Sequence, residues 1–315
     1  MKRILNRTFG LACAFCVLQV AAQTPAGPKV ELSLIVTDKA NKPVNTINKA
    51  DIRVIEDKVE QTVLGVEADE RPVDCALVID TSGSFRSLIA SSLEMTRLLI
   101  VNRRPDDEIF IERFVSSDLI QTLHDFTRDG NALIESLKNI RIEAGQSAVI
   151  DALHVAAQHL AKHNKSIERR KALVIITDGE DRNSFYKQEQ LIKLLREEGI
   201  QVFILGLVVD LDREGGLIRA SPREKAEKLL QTVAEETGGR VFYPKDKAEL
   251  VEATVQIINH LRGQFRITYQ STNSTGDGFR KVEVKVISPS GEKRNAIVPR
   301  GYVPAKAKEQ SHHEP

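Results

Sequence analysis

Cysteine is scarce in this chain. Of three in 315 residues, Cys13 and Cys16 lie in an apolar stretch near the N-terminus, which leaves Cys75 alone in the rest. No disulfide framework can form there, and a lone thiol inside an apolar run acts as a small hydrophobe rather than a nucleophile. Charge of one sign is also lacking, with 45 Lys and Arg against 44 Asp and Glu. That near balance argues against a nucleic-acid binder, whose footprint is a strongly basic face. Gly-rich, Gln-rich and Pro-rich tracts are absent, as is any repeat at a solenoid period. No Gly-x-x-x-x-Gly-Lys phosphate loop occurs.

What is present begins with a leader. "MKRILNR" is basic, "TFGLACAFCVLQVAA" is apolar, and "QTPAGPK" follows. This is the layout of a secretory signal peptide, with Val20 and Ala22 as the small residues before a cut near Gln23. The apolar stretch is shorter than the ~20 residues a spanning helix needs. Neither Cys13 nor Cys16 suits acylation, since the first comes too early and the second follows Phe15. The expectation is an exported protein, periplasmic or secreted, with no stable membrane span in the mature chain.

Beyond the leader the pattern changes twice. "VELSLIVTD", "IRVIED" and "QTVLGVE" alternate with period two, which predicts a small β segment over 28–70. Over 71–262 apolar strands alternate with helical patterns. The strands read "CALVID", "EIFIERFV", "ALVIITD" and "QVFILGLVV", with "LIQTLHDF" and "RVFYP" as weaker candidates. Such alternation predicts a doubly wound, mostly parallel α/β sheet with helices on both faces. Over 263–304 strands return as "GQFRITYQ", "RKVEVKVISP" and "NAIVPRGYV", and 305–315 reads as a disordered tail. Each β segment is marginal alone, so the two are expected to pool into one small β-sandwich with the α/β region inserted between them.

Three loops carry the polar residues of interest. "CALVIDTSGSFRS" is an apolar strand ending on Asp80, followed by Ser82 and Ser84. "ALVIITDGEDRNS" repeats the design, ending on Asp178, and "EAGQSAVIDALHVAA" sets Ser147 directly before a helix. In an open α/β sheet these residues gather at the carboxyl edge, where ligands bind. Hydroxyls and carboxylates without His or Cys suit a hard cation such as Mg2+, Mn2+ or Ca2+.

"DTSGS", with the "GQS" and "TDG" loops in that order, resembles the metal-ion-dependent adhesion site (MIDAS) of von Willebrand factor type A (VWA) domains. The flanking strands resemble, more loosely, those of exported bacterial proteins related to that family. The resemblance implies that Ser82, Ser84 and Ser147 ligate the cation directly, while Asp80 and Asp178 hold liganding waters. Ser147 departs from the usual threonine; it keeps the hydroxyl and loses the methyl group that stiffens χ1. The implied function is that of a non-enzymatic, adhesion-type binding module, in which a protein partner supplies an Asp or Glu carboxylate to an open position on the metal.

Two other readings stay open. Asp80 could be the nucleophile of a metal-dependent phosphohydrolase, although Ser82 stands where that chemistry wants a second acid. The polar loops could also belong to a metal-free interaction scaffold. Ser82 is no hydrolase nucleophile, because Asp80 occupies the glycine position of the nucleophile elbow. Glu180 and Asp181 read as caps or solvated charges. His159 and His163, four apart, are expected to face solvent, and His312 and His313 to belong to the tail.

Overall fold

A computed structural model describes residues 27–304, apart from 165–167, 210, 212–219, 274–277 and 289–290. The expected leader, its cleavage site and the tail over 305–315 lie outside the described residues.

Among the described residues, thirteen strands divide between two sheets. β1 (Lys29–Thr37), β2 (Ile52–Glu56) and β3 (Val59–Ala68) come from the N-terminal segment, and β10 (Gln264–Gln270), β11 (Arg280–Ile287), β12 (Lys293–Ile297) and β13 (Gly301–Tyr302) from the C-terminal one. They interleave in the order β12-β1-β10-β3-β2-β11-β13, every pairing is antiparallel, and β12 also pairs with β11. That last pairing closes six strands into a barrel. Alternate residues such as Leu32, Leu34, Val54, Ile267, Val284 and Val286 fill its interior. One acid is buried with them. Glu56 accepts hydrogen bonds from Tyr269 Oη (2.6 Å), Ser271 Oγ (2.8 Å) and Tyr302 Oη (3.0 Å), and pairs with Arg280. Burial pushes its carboxyl up, but those four donors together hold it below the ordinary glutamate value.

The second sheet runs β6-β5-β4-β7-β8-β9. It contains β4 (Val73–Asp80), β5 (Glu108–Ser116), β6 (Leu119–Thr127), β7 (Arg170–Thr177), β8 (Ile200–Gly206) and β9 (Arg240–Phe242). β4 and β8 are buried along their whole length. Helices α1 (Ile89–Val101), α2 (Gly130–Ser136) and α6 (Lys247–Arg262) pack with one set of strand side chains, including Leu77, Ile79 and Ile111. The alternate set, including Ala76, Val78 and Phe110, packs with α3 (Val149–Lys162), α4 (Gln188–Glu197) and α5 (Pro222–Thr237). In α3, Ala152, Ala156 and Ala157 are wholly buried and let the helix lie close to the strands.

The expected fold class is therefore corrected. The chain is not a doubly wound parallel α/β fold with a small sandwich attached, since more than half of its strands form and extend an antiparallel barrel. The remaining sheet is mixed, because β6 runs antiparallel to β5. The reason is local: Ser117 and Asp118 alone join those strands, and two residues make a hairpin but cannot make a parallel crossover. The barrel differs from a sandwich because β12 finds partners on both sides.

Candidate functional site

Asp80 is the last residue of β4, and Asp178 directly follows β7, the strand paired beside it. After Asp80 the chain makes a single 3-10 turn over Gly83–Ser87. Phe85 explains that turn. Its ring is fully buried in the core shared with Met95 and Ile100, which fastens the loop from below. Ser82 and Ser84, on either side of Gly83, are left near the sheet edge. The loop before α3 is tied to the same turn, with Glu143 N donating to Thr81 O (3.1 Å). Arg182 N donates to Ser147 O (2.8 Å) and joins the third loop to the second.

All five residues come together. Ser82 N donates to Asp80 Oδ1 (2.9 Å), and Ser147 Oγ lies 3.4 Å from Asp80 Oδ2. The Ser82 and Ser84 hydroxyls are 3.2 Å apart, and Ser84 Oγ donates to Asp178 Oδ2 (2.8 Å). Glu180 N donates to Asp178 Oδ1 (3.0 Å). Ser84 is exposed, while Asp80, Ser82, Ser147 and Asp178 are buried. Gly179 has a φ of +78°, and a Cβ there would lie 2.7 Å from Leu230 Cδ1, so any side chain at this turn would be strained.

The electrostatics are unbalanced. Burial pushes the Asp80 carboxyl up to about 6, and the charge of Asp178 acts in the same direction. Burial also raises Asp178, with Glu180 adding to the effect against the hydrogen bonds from Glu180 N and Ser84 and the charge of Arg182. Among the described residues, every hydrogen-bond partner of these two carboxylates is a hydroxyl or a backbone N–H. Two buried acids without a cationic partner are costly. A hard divalent cation fits this all-oxygen donor set.

Three contributors were not singled out from the sequence. Thr177 Oγ1 donates to Asp80 Oδ2 (2.8 Å) and receives Gly179 N (3.0 Å), so it bridges the two acidic loops. Its signal was a hydroxyl closing the apolar run just before Asp178. Asp151, buried in the first turn of α3, accepts from Ser117 Oγ, Phe185 N and Tyr186 N. Thr81, fully buried, donates to Phe114 O and fixes the start of the first loop. Asp181 is a cap, accepting Ile150 N (3.1 Å) and Ser184 Oγ (2.6 Å).

The histidines differ from the expectation. His159 and His163 do not simply face solvent; both rings stack on Phe126 and pair with Asp125 and Glu108, respectively. Elsewhere, no helix among the described residues is long and apolar enough to cross a membrane.

The family model of the von Willebrand factor type A domain matches residues 74–257, more than half of the chain. A solved von Willebrand factor type A protein from Catenulispora acidiphila superposes with a TM-score of 0.50 at 12% identity, covering 88% of this chain and 74% of that one. An aerotolerance-related membrane protein from Bacteroides fragilis NCTC 9343 is 25% identical with a TM-score of 0.45, covering 59% of this chain and 98% of that one. Among curated proteins, the "ATP-dependent DNA helicase II subunit 2" of Aspergillus oryzae is 29% identical over 140 residues, 44% of this chain and 19% of that protein. The chain thus spans about a fifth of the length of the curated relatives it matches.

Proposed function

Because this chain belongs to the von Willebrand factor type A domain family, we propose that it is an exported protein-binding module whose sheet-edge site takes a divalent cation. The observation that carries the reading is the pair of buried carboxylates, Asp80 and Asp178, interlinked with three serine hydroxyls and, among the described residues, hydrogen-bonded to no cationic side chain. Ser82, Ser84 and Ser147 would hold the ion directly, with Asp80 and Asp178 acting through water. Mg2+ suits these ligands, with Mn2+ or Ca2+ as alternatives. When bound, the cation supplies an electrophilic position for an Asp or Glu side chain of a protein partner. The protein's own part is to keep the hydroxyls fixed and the acids dry. The buried Phe85 and the Thr177 bridge support the first, and the burial of Asp80 the second. Export rests on the basic leader and its short apolar run.

Binding is favoured over hydrolysis at Asp80 by the state of that carboxylate. It is fully buried, with one oxygen engaged by Ser82 N and the other by Thr177 Oγ1. A nucleophile must be open to its substrate and needs a second acid for the leaving group, where this chain has Ser82. With Mg2+ and p-nitrophenyl phosphate the wild type should show no turnover above buffer. Metal-dependent turnover abolished in Asp80→Asn would establish the phosphohydrolase instead.

A further inference from the structure

The loop that carries Asp178 also walls a separate cavity of about 320 Å3. Gly179–Arg182 form one side, Gln188 at the start of α4 another, and the first turns of α5 a third. The floor is apolar, made by Ile150, Ala226 and Leu229, all buried. The volume sits at the small end of the roughly 300–1,000 Å3 typical of ligand pockets, which is room for a side chain or two.

The lining carries Glu180 and Asp181 against Arg182 and Lys225, and Arg182 is taken up by Glu180. Lys225 is exposed and makes no ion pair among the described residues. Pro222 and Lys225 belong to the first turn of a 16-residue helix capped by Ser221, whose end carries partial positive charge. The two acids in the lining are already engaged: Glu180 with the Arg182 guanidinium, and Asp181 with Ile150 N and Ser184. Gly179 and Glu180, which follow Asp178, line the cavity as well, so the two features share one loop.

We propose that this cavity is a side-chain subsite of the metal site, occupied by a Leu- to Phe-sized residue of the partner protein near the acid that meets the cation. The segment that binds is net acidic, matching Lys225 and the end of α5. This rests on the carboxylate-binding reading above and adds a specificity that the cation alone cannot give, since any exposed acid could reach a metal. A small molecule fits less well, because one ligand must present a carboxylate to the serines and an apolar group to the neighbouring cavity.

The test uses the full chain and fluorescein-labelled short peptides, each with one Asp among Gly and Glu and either Leu or Ser two residues on. Anisotropy is read in millimolar Mg2+ and in EDTA. The Leu peptide should bind about ten-fold or more tightly than the Ser peptide, and EDTA should abolish both. Gln188→Trp, which fills the cavity, should erase the preference. Lys225→Glu, at an exposed position, should weaken both peptides, most at low salt. Phe185→Ala, outside the cavity, should leave the preference intact. Equal affinity for the two peptides with metal dependence preserved overturns the subsite and leaves the carboxylate reading standing. A preference that follows Phe185 rather than Gln188 also overturns it. Binding indifferent to EDTA, or no binding of any peptide, removes the reading beneath it and the subsite together.

Discussion

Glu112 allows a sharp test of how the second sheet is packed. It lies in β5 between Phe110 and Phe114, whose rings are in the core beneath α3, and only 1% of it is exposed. Its Oε1 has no hydrogen-bond partner among the described residues. Burial alone pushes its carboxyl up to about 8. The folded-state value is raised above the unfolded one, so the native protein holds this proton more tightly. Stability from this group is fully present below about pH 4.5 and is lost as pH rises toward about 8. At about 1.4 kcal/mol per pH unit, the loss between about pH 5 and about pH 8 is on the order of 3 kcal/mol. The perturbation is Glu112→Leu, which keeps the bulk and removes the ionisation. Urea unfolding of both proteins across this range isolates the effect, because the other titrating groups are common to both. The variant should gain roughly 3 kcal/mol on the wild type between the acid and the alkaline end. A difference that stays constant with pH would refute the reasoning and mean that Glu112 is solvated or paired in solution.

Two further outcomes are expected. Ser147→Thr should bind Mg2+ as well as the wild type or better, through a stiffer rotamer, while Ser147→Ala should lose about ten-fold or more in calorimetry; equal affinity for all three would remove Ser147 from the ligand set. A chain ending at Arg262 loses β10 to β13 and leaves β1 without either neighbour, so light scattering should find aggregates, whereas a monomer of unchanged stability would show that the N-terminal strands stand alone.

The site was more legible in the sequence than the whole architecture. Asp80 and Asp178 stood out because each ends a run of apolar residues, and a strand buried on both faces can place an acid only at its end. Thr177 was hidden because a hydroxyl closing a strand is common, and its meaning comes from the neighbouring strand. The closed barrel was hidden for a different reason. Its deciding contact, β12 with β1, is a pairing across more than 250 residues, whereas β12 with β11 is a local hairpin, and "KRNAI" has little of the apolar alternation that marks β11. The turn before β6 was not read as a hairpin, although Ser117 and Asp118 are too few for a crossover, because "LIQTLHDF" was only a weak strand candidate. Glu112 could be placed on a strand, but that its Oε1 finds no partner depends on packing that no local sequence pattern shows.

The central claim is that five oxygen-bearing residues form a cation site, and calorimetric titration of Mg2+ and Mn2+ tests it most directly. Wild type, Ser82→Ala and Asp178→Ala should have the same circular dichroism spectrum, because the site lies on loops above the core. The wild type should bind one ion, more tightly when an acidic peptide is present, because cation and carboxylate are thermodynamically linked. Both variants should bind it more weakly. If the wild type takes up neither ion at millimolar concentration, even with the acidic peptide, Asp80, Ser82, Ser84, Ser147 and Asp178 are only a polar rim on a metal-free interaction scaffold.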